Sequence, residues 1–108
     1  MHIKTTEKGD VTIFEVQGEI NITTSPELKR AFEKVKSVKL IINLAGVGYV
    51  DSSGLATLVE ILKRLRSRGG SLSLTQVTEK VKSLFEITKL EKLFGIYASD
   101  QTAFESLQ

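Results

Sequence analysis

The chain has 108 residues, 41% of them apolar, with one proline, eight glycines and a formal charge of +2. That length supports one packed core and is too short for two, so a single domain over residues 1–108 is expected. The absence of cysteine excludes disulfides, thiolate nucleophiles and Cys-based metal sites and fits a reducing cytoplasm, while the small charge argues against the dense basic patch that nucleic acid demands.

Further exclusions follow from single residues and runs. The only histidine is His2, which leaves no His-paired serine and no His-ligated metal inside the fold. No charged-then-apolar leader and no apolar run approaching about 18 residues is present, so neither a signal peptide nor a membrane span is expected. The expectation is a cytoplasmic protein with no cofactor, no direct nucleic-acid contact and no membrane contact.

In chain order, HIKTTEKGD can form an antiparallel edge strand that turns back through Gly9-Asp10. VTIFEVQG (11–18) alternates imperfectly at period two, with Val11 and Ile13 on one side and Phe14 and Val16 on the other. This predicts a strand covered in part on both faces. Residues 18–23 read as a turn. TTSPELKRAFEKVK then begins a helix: either Ser25 caps it with Pro26 at the first helical position, or Thr24 caps it and Glu27 closes a capping box. Leu28, Ala31, Phe32 and Val35 form its buried stripe.

VKLIINL (38–44) reads as a central strand, because Leu40, Ile41 and Ile42 are contiguous, apolar and rich in β-branching. A loop, AGVGYVDSSG, leads to a helix carrying Leu55, Leu58, Val59, Leu62 and Leu65 and ending at Gly69-Gly70. SLSLT is a short strand, Val81, Leu84, Phe85 and Thr88 mark another helix, FGIYA a last strand and DQTAFESL a last helix. Strands alternating with helices imply an α/β fold, a small mixed, mostly parallel sheet with about four helices.

The run Asp51-Ser52-Ser53-Gly54 stands out, since one helix start needs only one capping residue. In open α/β sheets functional groups gather at the carboxyl ends of strands, and this run directly follows the 38–44 strand. A helix N-terminus also presents free N–H groups and a positive dipole end. Capping alone, a phosphorylatable serine and a phosphate-binding loop are all compatible with that placement. Gly46 and Gly48 make no nucleotide fingerprint, for no glycine stands at the third position after Gly48 and no Gly-Lys-Ser/Thr is present. Lys63, Arg64, Arg66 and Arg68 are better read as cations favoured by a helix C-terminus than as a partner patch. Tyr49 and Val50 either meet a partner or fold inward.

The segments GEIN…TSPEL, LIINLAGVGYVDSSGLATLV and GGSLSLTQVTEKVKSLFEITKLEKLF together resemble the STAS domain of bacterial anti-sigma factor antagonists, over nearly the whole chain. The resemblance implies a non-enzymatic switch that, unphosphorylated, binds an anti-sigma factor serine kinase and so frees a sigma factor. It implies Ser52 as the phosphoacceptor, a serine phosphatase that restores the unmodified form, and a partner-binding surface of Asn21, Tyr49, Asp51, Ser52, Ser53 and Gly54. Asp51 is open to two roles, orienting the acceptor or capping the helix; Ser53 reads as a cap or first-turn residue. One departure is visible: many antagonists carry Gly-x-Leu-Asp where this chain has Gly18-Glu19-Ile20-Asn21, and Asn keeps the size and hydrogen bonding of Asp without its charge. The alternative function is a constitutive STAS scaffold or accessory subunit that is never phosphorylated. An enzyme is disfavoured, because no base stands near the serines in a recognisable arrangement.

Overall fold

The computed structural model describes all 108 residues. Five strands form one sheet in the order β1-β2-β3-β4-β5, with β1 (His2–Lys8), β2 (Val11–Gln17), β3 (Lys39–Gly46), β4 (Ser71–Thr75) and β5 (Gly95–Tyr97). β1 pairs antiparallel with β2, and every later pair is parallel. The tight return at Gly9, which has φ +62°, makes the antiparallel pair. Parallel neighbours need crossovers, supplied by the helices α1 (Ser25–Glu33), α2 (Ser52–Ser67) and α3 (Glu79–Ile87). A 3₁₀ turn at Leu90–Lys92 and a final helix α4 (Asp100–Ser106) complete the chain.

The imperfect alternation of β2 and the solid apolar run of β3 have one cause: the sheet is covered on both faces. Phe14, Val16, Leu40, Ile42, Leu44, Leu72 and Leu74 pack against Leu28 and Phe32 of α1, Leu58, Ile61, Leu62 and Leu65 of α2, and Val81 and Phe85 of α3. On the opposite face Val11 and Ile41 pack with Ala103 of α4, flanked by Ile13, Tyr97 and Phe104. The short α4 is fixed by polar contacts as well. Asp100 accepts hydrogen bonds from Thr75 Oγ1 and from Asn43 Nδ2, the latter at 3.0 Å, and Lys39 Nζ reaches the Leu107 carbonyl at 3.1 Å.

The start of α1 differs from both expected arrangements. Thr24 is the N-cap, and its hydroxyl makes no capping bond to the helix. It donates instead to the Glu19 carbonyl (2.8 Å) and accepts from the Asn21 N–H (2.9 Å). Asn21 Oδ1 takes the N–H groups of Thr23 (2.9 Å) and Thr24 (3.0 Å), forming an Asx turn that leads into the helix. No capping box closes because the hydroxyl it requires already serves the loop. No helix is long and apolar enough to cross a membrane.

Candidate functional site

The carboxyl ends of β2 and β3 deliver two loops to one edge of the sheet, residues 18–24 and 47–51. The register between β2 and β3 shifts after Glu15, so Gln17 lies opposite Gly46. Beyond that bulge the strands nearly part, then meet once more at a single parallel bridge, Ile20 to Val50. The Ile20 N–H donates to the Tyr49 carbonyl and the Asp51 N–H to the Ile20 carbonyl, both at 3.1 Å. This bridge sets the two loops side by side.

Asp51 fastens the arrangement. It is the N-cap of α2, with Oδ1 accepting the Gly54 N–H at 2.8 Å and Oδ2 accepting the Ile22 N–H at 3.1 Å. One carboxylate therefore holds both the helix start and the neighbouring loop. Gly54 is part of the same joint, for a Cβ there would run into the Ile20 carbonyl oxygen and lie 2.8 Å from Val50 Cγ1. The capping role of Asp51 releases Ser52 from that duty. Ser52 is the first residue of α2, exposed, and its hydroxyl has no hydrogen-bond partner in the chain. Ser53 follows in the first turn, half-buried, with its carbonyl taken by Thr57 Oγ1 at 3.0 Å.

The expected site residues gather at this edge, in unequal roles. Tyr49 turns outward at 43% exposure while Val50 is fully in the core, so the two neighbours separate cleanly. Lys80 of α3 lies over the Tyr49 ring, 5.5 Å from its centroid. Asn21 is the organiser of its loop, and its Nδ2 also donates to Glu19 Oε1 at 3.3 Å. Of the basic residues late in α2 and just beyond it, Arg64 and Arg68 lie over the Phe32 ring at 5.6 and 5.7 Å, Arg64 also reaches Glu60 Oε2 at 3.7 Å, and Arg66 donates to the Leu93 carbonyl at 2.8 Å. No three His, Cys, Asp or Glu side chains form a group able to hold a metal.

One residue at this edge, Ile22, has no counterpart among the residues expected from the sequence. Ile22 is 72% exposed beside Asp51, an apolar side chain with no core to enter. Its signal was an isolated Ile within Asn-Ile-Thr-Thr-Ser, where no apolar period explains it. Ser25, one of the two caps expected for α1, is its first helical residue, and its hydroxyl is buried with no partner.

Chemically, this edge offers an exposed nucleophilic hydroxyl with no base in hydrogen-bond contact, at the positive end of a 16-residue helix. It suits modification or contact from outside better than catalysis within the chain. A family model described as STAS domain matches residues 2–103. An anti-sigma-B factor antagonist of Listeria monocytogenes is 38% identical over 99 residues, covering 89% of this chain and 86% of its own length. A Thermotoga maritima protein assigned as an anti-sigma factor antagonist superposes with a TM-score of 0.91 at 29% identity, over 96% of this chain and 92% of its own. SpoIIAA of Bacillus in its phosphorylated form matches with a TM-score of 0.71 at 14% identity, covering 99% of this chain and 100% of its own, a likeness of fold alone.

Proposed function

Because this chain belongs to the STAS family and is an anti-sigma factor antagonist, we propose that its unphosphorylated form binds an anti-sigma factor that is also a serine kinase, and that phosphorylation of Ser52 by that kinase ends the binding. An antagonist acts by occupying its target, not by turning over a substrate. The observation that carries the switch is the division of labour at the start of α2: Asp51 satisfies the helix, so the hydroxyl of Ser52 stands exposed and uncommitted.

The surface around Ser52 supports contact with a protein. Ile22 and Tyr49, two of four large apolar residues that are exposed, flank the joint that Asp51 makes. Exposed apolar groups rimmed by polar ones suit a binding face. In this reading Asn21 acts through the loop it folds, so the missing charge relative to the common Gly-x-Leu-Asp pattern does not remove the loop geometry. A phosphatase acting on phosphoserine would restore binding, since the serine reaches solvent without unfolding. The cytoplasm is the compartment in which these partners would meet.

The test is labelling by the cognate kinase with ATP, followed by binding titration. Both serines lie on one tryptic peptide, residues 40–63, so fragment-ion spectra must assign the site. Wild type and Ser53→Ala are expected to gain one phosphoryl group at Ser52 and to lose their partner. Ser52→Ala is expected to remain unlabelled and bound. Label retained on Ser52→Ala, or undiminished binding by labelled wild type, would favour the constitutive scaffold.

A further inference from the structure

A groove of about 320 Å³ runs between the start of α1 and the first turns of α2, beside Ser52. Its lining includes Ile22, Ser25, Lys29, Ser53, Ala56 and Glu60. Ser25 is 6% exposed, and its Oγ is buried without a hydrogen-bond partner. Folded proteins keep few such groups, because desolvating a hydroxyl without pairing it is unfavourable.

The Thr57 hydroxyl in the same lining is spent on the Ser53 carbonyl, but other donors nearby are free. The Ser53 hydroxyl and the backbone N–H groups of Ser52 and Ser53 are claimed by no acceptor in the chain. Lys29 Nζ lies 3.3 Å from Glu60 Oε1, while Arg64 reaches Glu60 Oε2 at 3.7 Å. Lys29 can therefore leave Glu60 without stranding it, because Arg64 remains. Two hydroxyls, two N–H groups and a releasable ammonium are all able to donate, and those of Ser52 and Ser53 sit at the positive end of α2. An incoming cation would find only Glu60, which already has two.

We infer that this groove seats an aspartate or glutamate side chain presented by the anti-sigma factor, an inference that rests on the partner-binding reading above. Ser53 donates to the carboxylate, Ser25 joins it by rotating its enclosed hydroxyl toward the groove that the residue lines, and Lys29 swings from Glu60 to pair with it. The aliphatic surface of Ile22 and Ala56 covers the stem of the entering side chain. The seat also explains how a modification next door could be felt: a phosphoryl group on Ser52 places about −1.5 to −2 charges beside the partner's carboxylate and competes for the same donors.

The experiment is a calorimetric titration of the full chain with its anti-sigma factor, paired with thermal unfolding of each variant. Ser25→Ala deletes a hydroxyl that the free fold does not use, so its melting temperature is expected to hold or rise while affinity falls roughly fivefold. A merely structural serine would do the reverse. Lys29→Gln is expected to weaken binding about tenfold and Lys29→Arg to stay near wild type. Crossing Lys29→Gln with Asp→Asn and Glu→Gln exchanges over the partner should reveal one carboxylate whose loss is no longer felt in the Lys29→Gln background. Affinities of Ser25→Ala and Lys29→Gln within about twofold of wild type, or no coupling to any partner carboxylate, overturn the seat. If phosphorylation of Ser52 still abolishes binding in that case, the proposed function stands without it. Failure of the unphosphorylated wild type to bind at all overturns both.

Discussion

At the scale of single residues, the site is a problem of one carboxylate and one missing side chain. Asp51 serves two backbone donors on different segments, so Asp51→Ala removes a helix cap and a loop tether together. Cap removal alone costs about 1 kcal/mol, and with the Ile22 N–H also released the expected loss is about 2 kcal/mol, read as a lower urea midpoint at unchanged slope. Gly54 offers a sharper test because two principles disagree in sign. Helix propensity favours Gly→Ala by about 1 kcal/mol. The added Cβ, however, meets the Ile20 carbonyl and Val50 Cγ1, both held by the bridge between the loops, and overpacking there costs about 1–3 kcal/mol or more. Net destabilisation of Gly54→Ala is expected in the same urea titration, and a raised midpoint would mean the joint yields freely. Asp51 as cap and Ser52 as the exposed neighbour could be anticipated from three adjacent letters, since capping is local chemistry. The Ile22 tether could not, because it joins positions 29 residues apart. Nor could the orphaned Ser25 hydroxyl, which depends on how α1 packs beside α2.

At the scale of elements, apolar periodicity marks those that pack on the sheet and fades in those held by polar contacts. The stripe of α2 buries Leu58, Leu62 and Leu65 as its spacing implied, with Leu58 fully enclosed. Leu58→Asp would bury an unpaired carboxylate there, and a loss of about 4 kcal/mol or more is expected, enough to unfold much of the population at 37 °C by circular dichroism. A melting temperature equal to wild type would contradict the packing of α2 on the sheet. By contrast the 3₁₀ turn at Leu90–Lys92 has no periodic signature, and the cap of α1 followed a loop network that no capping rule contains. A second polar device joins three elements at the far edge of the sheet. Lys39 Nζ meets Asp10 Oδ2 at 3.0 Å and the Leu107 carbonyl at 3.1 Å, tying β3 to the β1–β2 turn and to the end of α4. The hydrogen bond and charge of Lys39 hold the Asp10 carboxyl below its ordinary value. A carboxyl with a lowered folded pKa binds its proton more weakly in the fold than in the unfolded chain. Its contribution is therefore complete above the ordinary carboxylate range and disappears as pH falls through that range to the folded value. Asp10 is exposed, so the effect is small; Asp10→Asn is expected to flatten slightly the acid limb of a stability–pH curve and to leave neutral pH nearly unchanged.

At the scale of the whole molecule, the question is whether phosphorylation acts through the fold or through its surface. Ser52 lies at the first position of α2, where the helix dipole favours an added anion while the adjacent Asp51 opposes it. The two effects partly cancel, so stability should change by no more than about 1 kcal/mol, a shift of roughly 4–8 °C at most in melting temperature for a chain of this size. Binding should respond far more. With a partner carboxylate about 6 Å away and an effective dielectric of about 20, each unit of added negative charge costs roughly 3 kcal/mol, about a hundredfold in affinity. The net charge of +2 falls toward neutrality on modification, too small a change to alter long-range attraction decisively, so the loss must be local. Local repulsion between groups at a partly solvated interface is screened by salt, whereas a steric clash is not. The phosphorylated chain is therefore expected to keep its circular dichroism spectrum, to lose its partner at low ionic strength, and to recover part of that loss as salt is raised. Binding of the unmodified chain, measured alongside, corrects for salt effects common to both forms. A loss that stays constant across the salt series would assign the switch to shape, and a collapse of the spectrum would assign it to the fold.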